Sequence, residues 1–97
     1  MAFVQIFEAK TTHFDDIREL DAQWEKATEG RRTIRRTIIT RDRNDPTRYL
    51  ILAFFDSYES AMENSNLPET QEFASKMGAL LDGAPIFHDL DVIDDRS

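Results

Sequence analysis

The sequence predicts an α+β protein of the ferredoxin-like βαββαβ order, in which one four-stranded antiparallel sheet carries two helices on one face. Along the chain, apolar residues change between a period of two, typical of strands, and a period of three to four, typical of helices. The second and third strand-like segments are separated only by a short turn, which indicates a hairpin. Two right-handed β-α-β units in this order interleave into a single sheet.

The first strand and the first helix are predicted from the opening third of the chain. Residues 3–9 are apolar, and β-branched or aromatic at most positions, as in a largely buried strand. From residue 14 to residue 27, apolar side chains recur every three or four positions, which is typical of an amphipathic helix. We expect Thr12 to cap this helix, with Asp15 in its first turn, and Gly30 to end it.

The middle of the chain predicts the hairpin. Residues 31–41 alternate between polar and apolar side chains and form the second predicted strand. Residues 42–46 combine Asp, Arg, Asn and Pro, a turn composition in which Pro46 blocks further strand pairing. Residues 49–55 are almost continuously apolar and aromatic, so we expect them to form the third strand.

An interrupted second helix follows the hairpin. Ser57 is expected to cap a short helical turn over residues 58–63, which residues 64–68 then interrupt. Pro68 suits the first position of a new helix, because its missing N–H would have no partner there. The new helix is expected to end at Gly83. It presents four apolar side chains to the core: Phe73, Met77, Leu80 and Leu81.

The strands are apolar on both faces, which predicts a homodimer. Residues 86–93 form the fourth strand. In residues 49–55 both alternating sets of side chains are apolar, so each face of the sheet must be covered. The helices can cover one face, and a second copy of the sheet is the simplest cover for the other. Seven arginines against two aspartates give residues 31–48 a net charge of +5. These arginines could pair with the aspartates of the fourth strand across the two-fold axis of a dimer. Alternatively, the arginines and the aspartates could both be solvated charges that discourage aggregation.

Composition excludes several classes of protein. A chain of 97 residues is one domain, spanning residues 1–97. The net charge of −7, from 12 Lys and Arg against 19 Asp and Glu, argues against nucleic acid as a partner. The absence of cysteine excludes disulfides and thiolate metal sites. No apolar run is long enough to cross a membrane and the N-terminus has no features of a signal peptide, so we expect a cytoplasmic protein.

The first candidate functional residues are polar side chains within apolar segments. Gln5 is the one polar residue inside the first strand, and a buried amide needs a partner or a ligand. His88 lies in the apolar alternation of the fourth strand. Asn64 begins the helix interruption, where free backbone groups and side-chain amides mark the mouth of a cleft between helices and sheet. The two histidines have no partner at metal-ligand spacing, so we expect no metal site.

Three consecutive segments resemble the antibiotic biosynthesis monooxygenase type of dimeric α/β-barrel domains. They are the turn of residues 41–49 with its Asp-Pro pair, the apolar strand of residues 50–55, and the Asp-Ser-Tyr-Glu-Ser-Ala cap of residues 56–61. Residues 68–73 and 80–85 are similar to the second helix and last strand of that family. The resemblance covers nearly the whole chain. It implies a homodimer whose sheets share one barrel, with a pocket between sheet and helices in each subunit.

The same resemblance implies a cofactor-independent monooxygenase that oxidises a small aromatic or polyketide-like substrate with O₂, without a metal or a flavin. The alternative is a non-catalytic dimeric domain that binds a small apolar ligand or has a regulatory role. In the enzyme, His88 and Asn64 are expected to be catalytic. The residues expected to bind substrate are Gln5, Tyr49, Phe55 and Trp24.

Haem degradation, which some members of this family carry out, fits the sequence poorly. Those members are similar in using an Asn on the first strand, a Trp near the end of the third strand and a His on the second helix. Here Gln5 and Phe55 occupy the first two positions, and residues 58–83 contain no His. The sequence therefore does not predict haem degradation, and we expect no cofactor.

Overall fold

The computed structural model describes residues 2–97. Its four strands form one sheet in the order β2-β3-β1-β4, and every neighbouring pair is antiparallel. This confirms the predicted ferredoxin-like α+β fold, with the second helix divided in two. No helix within the described residues is both long enough and apolar enough to cross a membrane. In chain order the elements are β1 (Phe3–Lys10), α1 (Phe14–Ala27), β2 (Arg36–Arg41), β3 (Arg48–Phe55), α2 (Tyr58–Ser65), α3 (Pro68–Gly78) and β4 (Ile86–Asp91).

The strand register assigns each side chain to one of two sheet faces. Phe7 of β1 lies opposite Ile51 of β3 and Phe87 of β4. These side chains point towards the helices, and we call this side the helix face. Because side chains alternate along a strand, Ile6 and Leu52 point the other way, onto a side that no helix within residues 2–97 covers. We call that side the open face.

The core lies between the helix face and the three helices, in two clusters. One cluster forms where β1, α1 and α3 meet, and the other forms where β1 and β3 meet α2. Both clusters draw on odd-numbered residues of β1, as the alternation requires. The first consists of Phe7, Ala9, Ile17 and Met77, and the second of Phe3, Phe55 and Ala61.

Two of the three predicted helix starts are confirmed. The Ser57 hydroxyl accepts from the Ser60 N–H, and the Ser60 hydroxyl accepts from the Ser57 N–H, which is a complete capping box. Pro68 occupies the first turn of α3. The Thr12 cap is wrong: α1 follows His13, whose side chain makes no capping bond, and the His13 N–H donates to the Thr11 hydroxyl at 2.9 Å.

The second strand and the last helix are shorter than the sequence predicts. Residues 31–35 lie outside β2, because the N–H groups of Arg31 and Arg32 both donate back to the Thr28 carbonyl beyond the end of α1. Helix α3 ends at Gly78, so Leu80 and Leu81 pack on the core from the following loop. Likewise, β4 ends at Asp91 rather than at residue 93.

Candidate functional site

A cavity of about 190 Å³ lies between the helix face and the helices. All seven elements contribute to its lining, so it exists only in the assembled fold. Sites for drug-sized ligands measure roughly 300–1,000 Å³. The cavity therefore suits a small molecule of one to three rings.

The cavity walls are largely apolar, and five of the lining residues are aromatic. Phe7 and Phe87 stack across neighbouring strands with ring centroids 5.2 Å apart, and Trp24 of α1 meets Phe73 of α3 at 6.3 Å. Phe87 is 54% exposed, so this end of the cavity opens to solvent. Flat, polarisable walls of this kind favour an aromatic ligand.

Asn64 supplies a free amide donor at the cavity. Its side chain is only 6% exposed, in the last turn of α2, and its Oδ1 accepts from the Thr33 N–H at 3.2 Å. Its Nδ2 donates to no protein group within residues 2–97. Every fully buried side-chain nitrogen and oxygen in that part of the chain has a partner, so the unpartnered Nδ2 is not fully buried. Because Asn64 lines the cavity, this group is accessible from it. A ligand oxygen is the natural acceptor for it.

Trp24 and Gln5 also line the cavity, and each already donates one hydrogen bond within the protein. The Trp24 indole N–H donates to the Thr70 hydroxyl at 2.8 Å, which ties α1 to α3. The Gln5 Nε2 donates to Asp89 Oδ1 on β4 at 3.0 Å. The Trp24 indole therefore has no donor left for a ligand, whereas, among the described residues, Gln5 keeps one N–H and Asn64 keeps both N–H groups of its amide.

Asp21 is a cavity residue that the sequence reasoning missed. It lies on α1, half-buried, and forms no hydrogen bond or ion pair within residues 2–97. Burial raises the pKa of its carboxyl, and the nearby Glu25 raises it further, while Arg18 and Arg32 oppose the shift. Perturbed carboxyls in clefts are candidates for acid–base chemistry.

The sequence did carry a signal for Asp21. Ile17, Asp21 and Trp24 are spaced by four and then three residues, so Asp21 occupies a position on the apolar stripe of α1. An acid at such a position is unusual. The periodicity does not require it, however, because Leu20 also lies three residues after Ile17 and four before Trp24.

The structure separates the two residues that the sequence nominated as catalytic. His88 lies on the open face, where its Nε2 is 3.5 Å from Glu8 Oε2, whereas Asn64 lines the cavity on the helix face. Tyr49 stacks on the outer side of the cavity-lining Phe14, with centroids 3.9 Å apart, and does not itself line the cavity. Phe55 is buried against Phe3 beyond the lining. Of the six nominated residues, the cavity unites Gln5, Trp24 and Asn64.

Comparison with known proteins identifies the fold. No protein-family model matches the chain, and no curated protein does. Solved structures do match it over almost the full length. A Caulobacter crescentus protein assigned to the antibiotic biosynthesis monooxygenases is similar with a TM-score of 0.82 and 14% identity, covering 96% of this chain and 91% of that one.

Two further solved structures are similar to the same extent. A cofactor-independent oxygenase of Streptomyces nogalater has a TM-score of 0.81 at 10% identity, with 97% of this chain and 95% of that one covered. A Mycobacterium tuberculosis protein has a TM-score of 0.81 at 14% identity over the whole of both chains. The predicted resemblance to antibiotic biosynthesis monooxygenase domains is thus confirmed for the fold.

Proposed function

We propose that this protein is a cofactor-independent monooxygenase that acts on a small aromatic or polyketide-like substrate bound in the cavity. The observation that carries the proposal is the Asn64 amide, whose Nδ2 has no partner within residues 2–97 and faces a largely apolar cavity. The similarity in fold to a cofactor-independent oxygenase supports it. The size of the cavity restricts the substrate to a small ring system.

The chemistry needs a substrate that can itself reduce O₂. In a tricyclic ketone such as anthrone, loss of a proton from the ring CH₂ gives a carbanion that is delocalised onto the ketone oxygen. The carbanion passes one electron to O₂, and the resulting radical and superoxide combine to form a C–O bond. Loss of the second proton and cleavage of the O–O bond leave a carbonyl and water, so that CH₂ and O₂ become C=O and H₂O.

Asn64 has a defined role in this sequence. Its Nδ2 donates a hydrogen bond to the ketone oxygen, where negative charge develops as the proton is lost. A fixed donor in a largely apolar site stabilises such charge far better than water does, because it needs no reorganisation. Gln5 and Trp24 hold the ring system against the sheet and α1.

The proposal includes a homodimer formed through the open face. Exposed and half-buried apolar side chains line this face on all four strands, and none of the helices in the described part of the chain covers it. Burying such a surface against a second sheet removes apolar area from water, which is the main driving force for association. The residues concerned include Ile6, Ile38, Leu52, Phe54, Ile86 and Leu90.

The test is oxidation of anthrone under air, followed by product absorbance and oxygen consumption. We expect turnover by the unmodified protein and a loss of about 100-fold in Asn64→Ala, the size seen when one oxyanion donor is removed. Asn66→Ala is the matched control, because Asn66 is exposed and does not line the cavity. No turnover of anthrone or of a quinol by the unmodified protein would contradict the proposal.

A non-catalytic ligand-binding domain is the second candidate. The prior use of the Trp24 indole N–H and of one Gln5 N–H favours it, because fewer polar groups remain free to act on a substrate. Native mass spectrometry of the purified protein separates the two readings when combined with the turnover assay. A bound small molecule without any turnover would favour the binding domain.

A further inference from the structure

We propose that Asp21 is the proton acceptor of this site, and that its substrates are aromatic molecules with an acidic C–H or O–H group. This inference rests on the proposed function and names the base that the chemistry requires. Removing a proton from carbon is the first step of the reaction described above. The residue that takes the proton must reach the cavity and must be able to carry it.

Asp21 is the only carboxylate that lines the cavity within residues 2–97. The one other charged lining residue is Arg18, one helical turn earlier on α1, and an arginine does not accept a proton at neutral pH. The lining also contains no His, Lys or Tyr that could replace Asp21. The polar groups that face the cavity from the other elements are uncharged: Gln5, Thr37, Asn64 and Thr70.

The surroundings of Asp21 leave its carboxylate free to act. The other half-buried carboxylates within residues 2–97 are all paired with a cation: Glu8 and Asp42 with Arg48, Asp45 with Lys10, and Glu69 with Arg31. Asp21 instead is half-buried without any donor. A desolvated, unpartnered carboxylate costs stability, and such groups concentrate where proteins do chemistry.

Its proton affinity also suits a general base. Burial, and then Glu25, raise the pKa of Asp21 above the ordinary 3.8, against the opposing charges of Arg18 and Arg32. A base works best as its pKa approaches the working pH. A raised pKa therefore makes Asp21 a stronger proton acceptor than an exposed aspartate.

The proposed step is a single proton transfer. The substrate C–H bond breaks, its electron pair stays on carbon and delocalises onto the ketone oxygen, and the proton moves to a carboxylate oxygen of Asp21. The Asn64 amide faces the oxygen that gains the charge. Asp21 then holds a proton that it can return to the oxygen that leaves as water.

Hydrogen exchange in the absence of oxygen tests this step by itself. Anthrone is incubated with the protein in D₂O under nitrogen, and deuterium uptake at the ring CH₂ is followed by mass spectrometry. We expect the unmodified protein to accelerate exchange and Asp21→Asn to lose about 100-fold or more of that acceleration, the contribution of a positioned base. Glu19→Gln is the matched control, an exposed acid on the same helix outside the cavity, and should exchange like the unmodified protein.

The pH profile gives a second readout that a purely structural role would not move. The base acts only when deprotonated, so exchange should fall as pH decreases through a pKa above 3.8, and this limb should vanish in Asp21→Asn. Equal exchange by Asp21→Asn and the unmodified protein, or no acceleration by either, would overturn the inference. Exchange that depends on Asp21 without any oxidation under air would support the inference and contradict the monooxygenase.

Discussion

On the helix face, Asp21 lies half-buried with no hydrogen-bond or ion-pair partner among residues 2–97, whereas on the open face Glu8 and Asp42 both bind the guanidinium of Arg48. The pKa values move accordingly: burial raises that of Asp21, while the Asn44 N–H and Arg48 lower that of Asp42. Paired carboxylates stay ionised and serve structure. An unpaired one is available to exchange a proton with a ligand.

The solvent exposure of apolar side chains also differs between the two faces. Phe3 and Phe55 on the helix face are 3% and 5% exposed, because α2 covers them. Ile86 and Leu90 on the open face are 55% and 42% exposed. Within residues 2–97, the helices cover one face of the sheet and leave the other uncovered. The predictions below separate the two faces.

The largest effect is expected at the covered core. Phe3→Ala should lower the free energy of unfolding by about 3–5 kcal/mol, because it opens a cavity that the packed helix cannot refill. Val4→Ala, the next residue on β1 but on the open face, should cost only about 1 kcal/mol. Urea denaturation measures both. Equal losses would mean that the two faces are equally well packed.

The open face should respond through association. Leu52→Glu places a charge at the centre of the predicted interface and removes apolar burial of about 1.5–3 kcal/mol per subunit, so the dimer should weaken by about 100-fold or more. Analytical ultracentrifugation measures the change. Met62→Glu, an equivalent substitution at an exposed site on α2, should leave the dimer intact. If the unmodified protein is monomeric at all concentrations, the proposed homodimer is wrong.

The smallest effect concerns the pH dependence of stability. The folded-state pKa of Asp42 is below its ordinary 3.8, so the stabilisation from this group is complete above that value and is lost as pH falls through the folded-state pKa. Asp42→Asn should therefore lose less stability between pH 7 and pH 3 than the unmodified protein. Urea midpoints at the two pH values measure this. Asp95→Asn, in the exposed tail, should behave like the unmodified protein.

Local chemistry made much of the fold predictable. The apolar stripe of α1, the Ser57 cap and Pro68 at the start of α3 all act within a few residues, so the sequence contains both partners of each interaction. The Thr12 cap failed for the opposite reason. The buried Thr11 hydroxyl is held by the Leu80 carbonyl at 2.6 Å, a partner from another part of the chain.

The candidate site was predictable only in part. Gln5, Trp24 and Asn64 were identified because polar or aromatic residues stood out in their segments, and all three line the cavity. His88 had the same appearance in the sequence. Because side chains alternate along β4, His88 points to the open face while its neighbour Phe87 points to the helix face. The local sequence does not indicate which of the two faces the helices cover.

The sequence by itself determined the order of elements and the overall class, because periodicity, caps and turns are short-range properties. The tertiary structure decided which face of each strand is covered, and therefore which polar groups share the cavity. It also left Asp21 without a donor in the described part of the chain, while the Asn44 N–H and the Arg48 guanidinium donate to Asp42. Burial and pairing depend on residues distant in the chain, so they exist only once the strands take their register and the helices pack.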